Sequence, residues 1–165
     1  MRMCNTHRRI FSQLASRLVQ EGKLDKAEKV VTKAEQAIPP TTVPHSYSGG
    51  SLELARVWNT LGKKKEAIDI AYPIAVQATE YLDWYISLPD KILLTNEKEC
   101  MYYLYQMHAA VGILQSAGSS KAMELSQKLD LYNQLIQNRL YRSFGMSNQV
   151  EEAEEEEELL EEDSL

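Results

Sequence analysis

The stretch from Arg8 to Pro40, RRIFSQLASRLVQEGKLDKAEKVVTKAEQAIPP, decides the class of fold. Phe11, Leu14, Ala15 and Leu18 stand at i, i+3, i+4 and i+7, which puts them on one stripe of an α-helix. Gly22 follows where a helix ends most cheaply on a left-handed residue. Asp25, with Glu28 three residues on, reads as the capping start of a second helix. That helix carries Ala27, Val31, Ala34 and Ile38 on one face until Pro39 and Pro40 forbid continuation. The small side chains of Ala15 and Ala27 let the two rods approach closely, so the stretch predicts a helical hairpin over about 6–39.

Working outward, the same design recurs over about 48–88. Leu54, Ala55 and Trp58 form an inner stripe, Gly62 breaks it, and Ala67, Ala71, Ile74 and Ala78 continue it in a long second helix. The step from Gly22 to Ala27 equals that from Gly62 to Ala67. Pro39 to Gly50 is an inserted, turn-rich loop, a kind of segment that often carries function. Pro73 is expected to kink the fourth helix, and Pro89 to end the aromatic run Tyr81, Leu82, Asp83, Trp84, Tyr85. Asn96 with Glu99 reads as another capping start, for a helix bearing Tyr103, Met107, Ala110 and Leu114 up to Gly118. A sixth helix from Ser119 or Ser120 carries Ala122, Leu125, Leu129, Tyr132, Ile136 and Leu140. This third hairpin spans about 96–144. Strand-like alternation is absent, so the expected class is all-α, a right-handed stack of about three antiparallel helical hairpins.

With 165 residues, 44% of them hydrophobic, the chain suffices for one core, here assigned to 1–147. The remainder, 148–165, is an acidic tail. Glu151 to Asp163 holds ten of the 24 acidic residues and no basic one, leaving 18 basic against 14 acidic groups before it. So charged a tail is expected to stay disordered or as a frayed, solvated helix. No apolar run approaches the ~20 residues of a membrane span, and no secretory leader is visible. Two cysteines, Cys4 and Cys100, make neither a disulfide framework nor a zinc motif. His7, His45 and His108 lack partners at ligand spacing, so no metal and no cofactor is expected, and His45 is expected to stand exposed on the loop. Phosphate loops, nucleophile elbows and metal motifs are absent, which points away from an enzyme. The modest basic charge of the body also argues against nucleic acid as a partner.

Phe11, Leu14, Ala15, Leu18, Gly22, Ala27, Val31, Ala34 and Pro39 resemble the tetratricopeptide repeat in order and spacing, and Leu54, Ala55, Trp58, Gly62, Ala67 and Ala71 resemble its first two thirds. The third hairpin departs, since Ala122 follows Gly118 one residue too soon. Glu21-Gly22-Lys23, Pro39, Val43-Pro44 and the run from Tyr81 to Tyr85 also resemble the soluble C-terminal region of large bacterial multi-spanning membrane proteins similar to protein O-mannosyltransferase-type sugar transferases. That likeness covers residues 5 to about 145. It implies an extramembrane, periplasmic accessory domain that carries none of the transferase residues.

The repeat resemblance implies a concave groove lined by the first helix of each hairpin. By register Arg9, Ser12, Ser16, Val19 and Gln20 face it from the first hairpin, and Arg56, Asn59 and Thr60 from the second. Two guanidinium groups among amides and hydroxyls suit a protein or peptide segment, with a carboxylate held in bidentate fashion. His45 and Tyr47 are candidate loop contacts. The expected function is a non-catalytic scaffold for protein or peptide binding, the alternative being a structural accessory domain of a membrane-bound glycosyltransferase-like protein. The tyrosines Tyr102, Tyr103 and Tyr105 are expected to serve packing rather than ligand stacking.

Overall fold

Gly22, Gly62 and Gly118 adopt φ of +73°, +78° and +73°, and the same pair of backbone bonds closes the helix before each. Gly22 N–H donates to Val19 O at 2.9 Å and Lys23 N–H to Leu18 O at 2.8 Å. At the second turn Gly62 donates to Asn59 at 3.0 Å and Lys63 to Trp58 at 2.9 Å, and at the third Gly118 donates to Gln115 at 3.0 Å and Ser119 to Leu114 at 2.9 Å. This double closure on a left-handed residue satisfies carbonyls that a helix end otherwise leaves open.

The computed structural model describes residues 2–140, all-helical and without strands among the described residues. The helices are α1 (Arg2–Gln20), α2 (Leu24–Ala37), α3 (Ser51–Thr60), α4 (Lys64–Ser87), α5 (Asp90–Thr95), α6 (Glu97–Ser116) and α7 (122–140). A 3-10 turn, Tyr47–Gly49, leads into α3. The acidic segment lies outside the described residues. None of the described helices is long and apolar enough to cross a membrane.

Side-chain contacts give the helix directions. Tyr85 and Tyr81 meet Tyr103, while Thr79 meets Met107, so α4 and α6 run antiparallel. Tyr47 meets Tyr102 and Asn59 meets Ser116, so α3 and α6 run parallel. Tyr132 of α7 bonds Asp83, and Arg139 bonds Asp90, which sets α7 parallel to α4. α1 packs on α2 and α3, and α3 on α4 and α6. Ala15, Ala27, Ala34, Ala55, Ala67, Ala71, Ala75 and Ala78 are buried throughout the shared core, where small side chains let the helices nest.

Several local expectations give way to tertiary packing. Leu14 is exposed rather than part of the core stripe, because the side of α1 that meets its neighbours is centred on Arg8, Ser12 and Ala15. Asp25 sits inside the first turn of α2, whose N-cap is Lys23 without a side-chain bond, and Glu28 pairs with Lys63 at 3.5 Å instead of reaching back. Asn96 does not cap α6 with its side chain: Nδ2 donates to Ile92 O at 2.8 Å and closes α5, a helix the sequence did not announce. Buried Leu93 anchors that short element. α4 runs unbroken through Pro73, and both Pro73 and Asp69, whose carbonyl it deprives of a donor, lie towards solvent. Gln106, buried in α6, donates to Ile74 O at 3.1 Å and ties the two longest helices of the core together.

Candidate functional site

The inserted loop is held to α1 by a buried cation. The guanidinium of Arg8 donates to Val43 O at 2.6 Å, Pro44 O at 3.0 Å and Ile38 O at 3.3 Å. Burial depresses its pKa, while the neighbouring Glu35 opposes that shift and favours the charged form. Arg9, the next residue, points the other way and donates to Ser48 O. Tyr47 meets Tyr102 edge-on at 5.4 Å, so the loop is also fastened to α6.

Beneath the loop lies an arrangement the sequence concealed. His45 is not exposed: its side chain is only 7% accessible, with Nε2 3.6 Å from Glu35. Its Nδ1 lies 3.2 Å from Ser51 Oγ, which also accepts from Ser46 N–H at 3.1 Å. Glu35 and His45 are distant in pattern terms and meet only because α2 folds back under the loop. A serine, a histidine and a carboxylate in a row suggest acyl-transfer chemistry, but Ser51 has no accessible surface. No substrate carbonyl can reach a hydroxyl so enclosed, and the row reads as a polar fastening of the loop. No group of three or more metal-ligating side chains occurs among the described residues.

Above this fastening is a cleft of about 290 Å³ lined by Arg9, Ser12, Gln13, Tyr47, Ser48, Gly50 and Glu53. It unites Arg9 and Ser12 of the expected groove with Tyr47 of the expected loop contact. Ser12 contributes only its floor, being fully buried with Oγ donating to Arg9 O at 2.8 Å, so it does not point into the groove. Gly50 is required at the rim: at φ +75° a Cβ there would lie 3.0 Å from Arg9 Cα and 2.9 Å from Ser12 Oγ. Arg56 stands beside the cleft and donates to Glu53 at 3.3 Å. Asn59 is directed at α6, donating to Ser116 Oγ at 3.0 Å, and Thr60 bonds Arg56 O. Val19 packs against the core, Ser16 is half-buried and Gln20 is exposed.

Glu53 is the site residue that residue spacing did not single out. It neutralises part of the field of Arg9 and Arg56. Larger hollows occur on α2, around Lys29 and Lys33, and on α4, around Gln77, Tyr81 and Trp84, but each is lined by one helix. The Arg9 cleft, by contrast, gathers groups from α1, the loop and α3.

The tyrosines pack as expected for two of three. Tyr81 stacks on Tyr103 at 4.1 Å, and burial pushes the Tyr103 hydroxyl up to about 12. Tyr102 is also shifted upward by burial, against a bond with Ser48 that lowers it. Tyr105 projects into solvent. No protein-family model, curated protein or solved structure matches the chain.

Proposed function

We propose that the chain is a non-catalytic helical scaffold whose Arg9 cleft binds an extended segment of another protein. In this reading the hairpins α1–α2, α3–α4 and α6–α7 form a right-handed, tetratricopeptide-like stack. Support comes from the three matching glycine turns, the alternating helix directions and the alanine-rich contacts between rods. The observation that carries the functional reading is the convergence of Arg9, Tyr47 and Glu53 from three separate elements on one cleft. Both signs of charge and an aromatic ring beside backbone groups suit a peptide main chain flanked by polar side chains. The enclosure of Ser51 supports the non-catalytic half of the proposal.

The test uses immobilised full-length chain and a random-peptide library, comparing wild type with an Arg9→Ala/Arg56→Ala double variant. Peptides enriched on wild type should bind the variant at least about tenfold more weakly, ~1.4 kcal/mol, with the helical circular dichroism unchanged. Equal binding by both forms removes the cleft assignment.

A further inference from the structure

The end face of the molecule offers a second surface, independent of the cleft. Met3, Ile10 and Leu14 of α1 are 74%, 56% and 48% exposed. At about 100° per residue they cluster around one direction, roughly opposite Arg8, Ser12 and Ala15, which face the core. This is the side on which a further helix would pack, and none of the described residues covers it. α1 is also one-sided in charge: residues 2–20 contain Arg2, Arg8, Arg9 and Arg17 and no acidic residue. Arg17 borders the apolar stripe and pairs with exposed Glu21 at 3.2 Å.

The chain carries the complement. Glu151 to Asp163 has ten acidic groups and no basic one, and apolar Val150, Ala153, Leu159 and Leu160 are set among them. We infer that residues 150–165 dock on the outward face of α1, with Leu159 and Leu160 against Ile10 and Leu14 and the carboxylates around Arg17. The geometry permits it. Helix α7 reaches residue 140 beside Leu88 and Asp90, at the end of the molecule where α6 begins and where Tyr47 contacts Tyr102. The N-terminal half of α1, tied to the same loop through Arg8 and Arg9, lies at that end too. The rows α1, α3 and α6 at ~8–10 Å apart place the target within about 30 Å, and residues 141–150 span up to about 33 Å when extended. The docked segment would cover an apolar stripe otherwise open to aggregation, and α1 would gain the anions it lacks.

A nitroxide spin label on Ser164→Cys, in a Cys4→Ser background of the full chain, reports the contact. With isotope-labelled methyl groups, the signals of Met3, Ile10 and Leu14 should be lost through paramagnetic broadening, independently of protein concentration. The loss should disappear in a chain whose ten acidic residues between 151 and 163 are all amides, a change that leaves the helical body intact. It should also disappear in an Ile10→Ser/Leu14→Ser variant. Unbroadened α1 signals overturn the inference, as does broadening confined to another surface. Broadening seen only between spin-labelled and isotope-labelled molecules in a mixed sample assigns the face to a second copy and equally overturns it.

Discussion

Arg8 and Val43, 35 residues apart in the chain, are joined by a 2.6 Å bond from the buried guanidinium to the carbonyl oxygen. Two more carbonyls, of Ile38 and Pro44, share the same cation, so one side chain satisfies most of the turn that follows α2.

Removal of that cation therefore leaves the buried Ile38 carbonyl and the part-buried carbonyls of Val43 and Pro44 without their donor. Arg8→Met is expected to lower unfolding free energy by about 2–4 kcal/mol in urea titrations. Arg8→Lys should recover only part of it, because a compact ammonium cannot fork to three separated carbonyls. A loss below ~1 kcal/mol for Arg8→Met would show that water replaces the bonds.

Two glycines should respond oppositely to alanine. Gly112 sits in the interior of α6, where an added methyl group would meet nothing within 4 Å, so Gly112→Ala should stabilise by ~0.5–1 kcal/mol. Gly50→Ala meets Arg9 Cα at 3.0 Å with φ at +75° and should cost more than about 1 kcal/mol. Calorimetric melting of both variants checks the pair, and a stabilised Gly50→Ala would contradict the tight loop seat.

Cys100 is buried, and burial pushes its thiol up to about 11. The folded state thus holds the proton longer than the unfolded chain, whose thiol ionises near ~8.5. The associated stability is complete below ~8.5 and is lost as pH rises towards the folded value. Cys100→Ala should show a shallower decline of stability between those limits than wild type. Identical slopes would mean the thiol is solvated.

The hydroxyl of Tyr132 donates to Asp83 at 2.6 Å and helps to fasten α7 on α4. Asp83 is exposed and regains water when the partner is lost, so Tyr132→Phe should cost only about 1 kcal/mol. Arg139→Ala also frees the carbonyls of Ile86 and Leu88 and should loosen α7 further, seen as faster amide exchange there than in Tyr132→Phe. The reverse order would place the fastening elsewhere.

Much of the helical layout was legible because it rests on local stereochemistry. Gly22, Gly62 and Gly118 end helices by the same backbone closure, and apolar residues at three- and four-residue steps mark the buried faces of α2, α3, α4 and α7. On α1, Ala15 lies in the core and Phe11 and Leu18 pack against it as their spacing predicts, while Leu14 and Ser12 exchange the roles their polarity suggests. Polarity predicts burial only when the neighbouring elements are known. Arg9 and Tyr47, singled out from the sequence, both line the cleft, while Glu53 was not singled out, because its place there depends on α3 lying beside the loop.

By itself the sequence determined where helices end, which of their faces are apolar and how unevenly charge is divided between the body and residues 151–163. Those are properties of a few consecutive residues, governed by backbone freedom, helical period and Coulomb repulsion. Only the tertiary structure decided that Arg8 is enclosed by three carbonyls, that Glu35, His45 and Ser51 meet under the loop, and that Ile10 and Leu14 face outward. Such pairings depend on the docking of distant segments, and a buried hydrogen bond between them has no signature in the spacing of either.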